Sequence, residues 1–191
     1  IISPELEVAR SLQRKLDAPG AVDSVPFANG KIKVLEINIE KDCPLVNTEL
    51  SKLTARFPDL RANVLGVIRE DKFVILKKND KLIVNDKAFC VVNASQIDKL
   101  LASFGHDEKP AKKILIVGGG NIGFNLAKNI ENDSEGVRVK IIEKNKDRAE
   151  LIANELNNTI VINGDGLDED VLKEANIEEA ETILSLTNDD E

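Results

Sequence analysis

The run Gly118, Gly119, Gly120, Asn121, Ile122, Gly123 is the part of this sequence best equipped for chemistry. It has the G-x-G-x-x-G spacing, and each glycine of that pattern has its own use. Gly118 permits a tight turn, Gly120 lets backbone approach a pyrophosphate with no Cβ in the way, and Gly123 allows a helix to pack closely on a strand. A helix that opens there turns unpaired N–H groups and a partial positive charge toward phosphate. Glu143 follows 25 residues after Gly118, near the ~20-residue spacing of an acid that accepts hydrogen bonds from adenosine ribose hydroxyls. A carboxylate there repels the 2′-phosphate of NADP and favours NAD or another unphosphorylated adenosine, with Lys144 next door offsetting a part of that repulsion. Gly164, Asp165 and Gly166 form a third feature. Asp165 either faces the adenine side of a cleft or makes a turn and cap into a helix at Asp168. Thr187 and Asn188 stand where phosphates or the distal nucleoside come within reach.

These residues need a scaffold, and the surrounding pattern supplies one. Ile114, Leu115, Ile116 and Val117 are apolar in succession, as a strand buried on both faces of a parallel sheet must be. Ile122, Leu126, Ala127 and Ile130 then recur at helical spacing, so the glycines lie where a strand turns into a helix. A strand over 137–143, a helix over 147–156, a strand over 159–162, a helix over 168–175 and a strand over 182–186 complete four strands alternating with three helices. This is the start of a doubly wound, Rossmann-like parallel sheet, with ligands expected at the carboxyl ends of its strands.

The first half reads differently. Ser3 as N-cap and Pro4 at the first helical position open an amphipathic helix carrying Leu6, Ala9, Leu12 and Leu16, which Pro19 and Gly20 end. Ile32, Val34, Ile37 and Ile39 predict a strand, 45–57 a helix closed by Pro58, and 62–69 with 73–76 a hairpin around Glu70, Asp71 and Lys72. A strand over 88–92 and a helix over 95–104 follow. This small α+β lobe holds no catalytic constellation. The polar stretch from Gly105 to Pro110 reads as a linker, with His106 solvated inside it.

Composition narrows the function classes. The 191 residues carry a net charge of −8, divided unevenly: 1–105 hold 16 basic and 14 acidic side chains, 106–191 hold 10 and 20. Unlike halves point to separate domains. Neither has the basic stripe that a phosphate backbone requires, so nucleic acid is not expected as a partner. Cys43 and Cys90 are too few for a disulfide scaffold or, with one histidine, a local zinc site, and are expected to be buried fillers. The chain lacks Tyr, Trp and Met, which removes tyrosine as an acid or base. A start at Ile1 with no initiating Met is that expected of a segment of a longer protein. No run approaches the ~20 apolar residues that cross a bilayer.

With GGGNIG at 118–123, Glu143 followed by Asp147 and Arg148, and GDGLDEDVLKEANIEEAETILSLTNDDE at 164–191, residues 113–191 resemble the N-terminal lobe of an RCK (regulator of potassium conductance) domain. The order of domains resembles the middle of the tandem-RCK regulatory subunits of bacterial Trk potassium uptake systems. On this resemblance 1–18 is the end of a first nucleotide-binding lobe, 20–105 an RCK C-terminal lobe, 106–112 a linker, and 113–191 the incomplete start of a second nucleotide-binding lobe. The resemblance implies a site of Gly118, Gly119, Gly120, Asn121 and Ile122 at the pyrophosphate, Glu143 at the ribose, Asp165 near the adenine, and Thr187 with Asn188 across the cleft. It implies NAD, NADH or ATP as ligand, and a homo-oligomer that is cytoplasmic and peripheral to the inner face of the membrane, partnered by a membrane-embedded potassium transporter subunit.

Two functions remain open at this point. One is a non-catalytic nucleotide sensor. The other is an NAD-dependent oxidoreductase fragment whose catalytic domain lies elsewhere, which needs an acid or base at a hydride acceptor that only lysines or His106 could supply here.

Overall fold

The computed structural model describes residues 3–187. They form two compact units, one of residues 14–110 and one in which 111–187 is joined by the residues up to Gln13. Helix α1 (Pro4–Asp17) opens the described chain. Pro4 stands at its first position, where its missing N–H costs nothing, and the Ser3 hydroxyl donates to the Glu5 carboxylate at 2.7 Å.

The unit of residues 14–110 is built on an antiparallel sheet. Its strands are β1 (Asp23–Phe27), β2 (Ile32–Asn38), β3 (Ala62–Arg69), β4 (Lys72–Val74) and β5 (Lys87–Asn93), in the order β1-β2-β5-β3-β4. Alternation along β5 buries Ala88, Cys90 and Val92, and the register sets Leu35 opposite Cys90 and Ile37 opposite Ala88. Two helices, α2 (Leu50–Arg56) and α3 (Ile97–Phe104), follow β2 and β5 in the chain. Ile97, Leu100, Leu101 and Phe104 of α3 join the buried sheet residues in one core. Glu70 and Asp71 both take positive φ, 50° and 59°, the conformation that a two-residue hairpin turn demands.

Two expectations need correction here, and a strand stands at 23–27 where no element is predicted. Pro26 lies within it. Yet β1 is an edge strand, the one place where a proline's missing donor is tolerated. The predicted helix over 45–57 shrinks to α2: Asn47 has φ 60°, its N–H donates to the Leu82 carbonyl at 2.8 Å, and Leu50 N–H donates to Asp80 at 3.1 Å. Long-range partners take the donors that a first helical turn would have used. His106 is not solvated; its side chain is 18% exposed, packed so closely over Gly20 that a Cβ there would lie 2.7 Å from the imidazole. Both cysteines are buried, and desolvation pushes the Cys90 thiol up to about 12, which leaves it inert as a nucleophile.

Asp86 is 1% exposed and held by three hydrogen bonds: Arg69 donates to it through Nε and Nη2, both at 2.8 Å, and Ile83 N–H adds a third bond at 3.0 Å. Removing one partner of a buried pair strands the other charge, at about 3 to 5 kcal/mol. Arg69→Met, which strands the buried Asp86 carboxylate, is expected to lower the urea-unfolding stability of this unit by that order, with Asp86→Ala milder because the guanidinium it leaves behind lies nearer solvent.

The second unit is a parallel sheet with helices between its strands: β6 (Lys113–Val117), α4 (Asn121–Asp133), β7 (Arg138–Glu143), α5 (Lys146–Glu155), β8 (Ile160–Asn163), α6 (Glu169–Glu174) and β9 (Thr182–Ser185). The order is β8-β7-β6-β9, every pair parallel. The chain steps outward from β6 to β8, then returns to lay β9 on the other side of β6. That reversal makes a doubly wound sheet with a crevice at the carboxyl ends of β6 and β9. Ile114, Leu115 and Ile116 are buried in succession, as are Leu126, Ala127 and Ile130 of α4 and Ile152 of α5, and Leu115 shares a core cluster with Ile142, Ile162 and Ala175.

Glu131, in the last turn of α4, accepts hydrogen bonds from three consecutive backbone N–H groups, Asn157 at 3.0 Å, Asn158 at 2.8 Å and Thr159 at 2.6 Å. Burial opposes its ionisation, the N–H groups favour it, and the net effect lowers its pKa from the usual 4.5. A depressed carboxylate stabilises the fold fully above its unfolded pKa and loses that contribution as pH falls through the folded value. Glu131→Gln is therefore expected to cost about 1 to 2 kcal/mol at neutral pH, a deficit that narrows in urea melts taken at progressively lower pH.

Candidate functional site

The carboxyl ends of the four parallel strands are tied together by backbone. Gly118 N–H donates to Ile142 O at 2.8 Å, Leu186 N–H to Val117 O at 2.7 Å, and Gly164 N–H to Glu143 O at 3.0 Å. Gly118 has φ 109°, and a Cβ on it would lie 2.6 Å from the Leu186 carbonyl oxygen. Only glycine can make this turn so close to β9. A Cβ on Gly123 would strike the Gly118 carbonyl and come within 3.2 Å of Ile116 Cγ2, so the third glycine brings α4 down onto β6. Gly120 is different. It is exposed, caps α4 without a side chain, and has nothing within 4 Å of where its Cβ would be. The start of α4 thus opens onto free space, the cradle that a pyrophosphate fits.

Glu143 ends β7 with its carboxylate turned back to the loop: Oε2 accepts from Gly119 N–H at 2.7 Å and Oε1 from Asn145 N–H at 2.8 Å. An ionised carboxylate has about four acceptor positions, so two bonds leave capacity for a ribose diol. Asn145 in turn caps α5 by accepting from Arg148 N–H at 2.9 Å. The other side of Gly119 is held as well, its carbonyl accepting from Arg148 Nε at 2.8 Å.

Asp165 lies at the end of β8 in an Asx turn, accepting from Leu167 N–H at 3.0 Å and pairing with Lys144 Nζ at 3.0 Å. The Leu167 N–H first, then Lys144, holds its carboxyl below the usual range. Asp168 caps α6 through Asp170 N–H. Gly166 beside them presses on Val117 Cγ1, where a Cβ would collide. Lys144 therefore faces Asp165. Thr187 follows β9 with its backbone nitrogen beside Gly118, whereas Asn188 lies outside the described residues. The loop with Asn121 and Ile122, Glu143, Asp165 and Thr187 thus share one end of one sheet.

Sequence reasoning missed the part played by Arg148. A signal existed: Arg148 sits in the first turn of α5, where the helix dipole disfavours a cation, so a specific partner was required. Among the described residues no group of three or more His, Cys, Asp or Glu side chains could hold a metal ion, and no helix is long and apolar enough to cross a membrane.

The glycines separate experimentally. Gly123→Ala is expected to destabilise this unit by about 1 to 3 kcal/mol through overpacking, whereas Gly120→Val, which meets nothing, should melt within a degree or two of the parent. Differential scanning fluorimetry on the two variants distinguishes packing from cradle.

Residues 34–105 match the TrkA-C domain family and residues 114–191 the TrkA-N domain family. The Trk system potassium uptake protein TrkA of Azorhizobium caulinodans is 40% identical over 190 residues, which is all of this chain and 42% of that protein. Its namesake from Vibrio alginolyticus is 35% identical over 191 residues, again all of this chain and 41% of the relative. The chain thus spans about two fifths of the length of these curated relatives. Among solved structures, the GsuK RCK domain superposes with a TM-score of 0.54 at 22% identity, over 96% of this chain and 39% of that one. The GsuK channel bound to NAD gives 0.53 at 19% identity, over 96% and 32%.

Proposed function

We propose, since residues 34–105 and 114–191 match the TrkA-C and TrkA-N domain families and the chain has the fold of RCK domains, that it is the nucleotide-sensing part of a regulatory subunit of a Trk-type potassium uptake transporter. The observation that carries this reading is the start of α4: a helix N-terminus capped by a bare glycine, open to space, with the Glu143 carboxylate beside it at the point where the strand order reverses. Gly120, Asn121 and Ile122 bind the pyrophosphate through backbone N–H groups, Glu143 accepts from the ribose hydroxyls, and Asp165 and Thr187 border the adenosine and the far side of the cleft. NAD, as NAD⁺ or NADH, is the ligand favoured by an acid at Glu143, and ATP shares the adenosine diphosphate that these groups address. The GsuK channel, whose fold this chain shares, has been solved bound to NAD, which supports the same choice.

The module senses and does not turn over. A ligand moves an equilibrium between two conformations only by its difference in affinity for them, and that difference, passed through a homo-oligomer at the inner face of the membrane to a membrane-embedded transporter subunit, regulates potassium uptake. Beside the glycines, Glu143, Asp165 and Thr187, the described residues gathered at the cleft include Asn121, Ile122, Lys144 and Arg148, and neither histidine nor tyrosine, which hydride transfer most often employs, is among them.

Calorimetric titration with NADH, NAD⁺ and ATP tests this. Saturable binding is expected, abolished by Gly120→Val, and weakened by Glu143→Ala by about 1.5 to 3 kcal/mol, the worth of hydrogen bonds to a charged group. Absence of binding by all three ligands, parental affinity in Gly120→Val, or steady hydride transfer to any substrate would overturn it.

A further inference from the structure

We propose that Arg148 is a positioning residue for the glycine loop: with Glu143 it holds Gly119 through the two peptide units that flank its Cα, and the grip presets the loop N–H groups for a pyrophosphate. The inference deepens the nucleotide reading above and rests on it.

Three consecutive glycines at 118–120 are the most costly backbone to order, since glycine loses more conformational freedom than any other residue. A loop of this kind needs an external restraint to be ready for its ligand. Gly119 has two. Its N–H donates to Glu143 Oε2 at 2.7 Å and its C=O accepts from Arg148 Nε at 2.8 Å. Gly119 is buried, and a Cβ on it would lie 2.6 Å from Ile152 Cδ1 and 2.9 Å from Glu143 Oε2, so α5 and the end of β7 close on the peptide from the side as well. Gly120, the next residue, is exposed with open space about it. The peptide unit whose carbonyl Arg148 holds is thus the one that carries the Gly120 N–H.

Arg148 is itself fixed. Its guanidinium lies 5.5 Å from the centroid of the Phe124 ring, a cation–π distance, and its backbone N–H is tied to the Asn145 side chain. Its Nη2 is buried with no hydrogen-bond partner. A buried donor left unpaired costs free energy, so stability alone does not account for an arginine at this position. An ammonium lacks the Nε of a rigid planar fork, which makes lysine a poor substitute.

The arrangement also explains how Glu143 can serve two partners. A ribose hydroxyl drawn to the remaining acceptor positions of the carboxylate weakens its hold on the Gly119 N–H without displacing it. While Arg148 retains the carbonyl, the peptide stays in place. Ribose recognition and the phosphate cradle are then compatible, and removing Arg148 sets one against the other.

The test compares Arg148→Met, which keeps an unbranched stem against Phe124 and removes the donor, with Arg148→Lys, using the whole chain. In ligand-free protein, NMR hydrogen exchange of the Gly119 amide, which is bonded to Glu143, is expected to accelerate about tenfold or more in Arg148→Met, as for loss of one charge-assisted bond, with Ile116 and Ile141 amides unchanged. Affinity for ADP and NADH should fall about tenfold while adenosine, which has no pyrophosphate, changes less than about twofold. Arg148→Lys should fall between. Unchanged loop exchange, or equal weakening of adenosine and ADP, overturns the proposal. Loop exchange that accelerates in a protein whose parent binds no nucleotide upholds the grip and overturns the nucleotide reading instead. Should Arg148→Met fail to fold, Arg148→Lys carries the same two comparisons.

Discussion

The cleft depends on the absence of a side chain at residue 118. β6 and β9 converge there until the Leu186 carbonyl sits where a Cβ would be, while the same residue turns through a left-handed φ of 109° and gives its N–H to β7. Two demands, one steric and one conformational, meet at a single position. Any other residue must either push β9 away from β6, and so unmake the crevice, or adopt backbone angles that L side chains reject. The rest of the site follows. Only when β6 ends in that turn does α4 start at Gly120, and only then can Gly123 lower the helix onto Ile116.

Recognition built this way uses few side chains. In the proposed site backbone N–H groups would supply the phosphate cradle, and the Glu143 carboxylate aimed at the loop comes from a strand end that parallel pairing holds in register with β6. A sensor benefits from such economy. The free energy that distinguishes bound from unbound states lies in how loops are arranged at the sheet's edge, where modest displacements leave the buried strands undisturbed. A cleft with its acids already committed to holding backbone is ready before its ligand arrives, which lowers the ordering cost of binding.

Much of this was legible in the sequence, for reasons that differ by element. Ile114, Leu115 and Ile116 announce a strand buried on both faces because no polar residue interrupts them, and a glycine pattern placed straight after such a strand has one geometric meaning. Whatever depends on contacts across the fold was not legible. Pro26 hides β1, because a proline is acceptable only once the strand is known to be at an edge. The helix expected from 45 gives way to turns since Leu82 and Asp80 lie close enough to take its donors, which periodicity cannot register. Asp165 offered two readings, and the Asx turn is the one visible in the bonds. Arg148 stood in plain view, yet its use requires knowing that α5 begins beside Gly119.

Glu131 has a consequence of another kind, for the ageing of the molecule. Asn157 and Asn158 are adjacent, and an asparagine decays when the backbone nitrogen of the following residue attacks its side-chain amide to close a succinimide ring. For Asn157 that nitrogen belongs to Asn158, and for Asn158 it belongs to Thr159. Both are held by the Glu131 carboxylate, at 2.8 Å and 2.6 Å. A nitrogen kept protonated and pointed at a carboxylate is neither free to lose its proton nor free to rotate onto the neighbouring amide. The cap at the end of α4 therefore shields the two asparagines from chemical damage for as long as this turn stays folded.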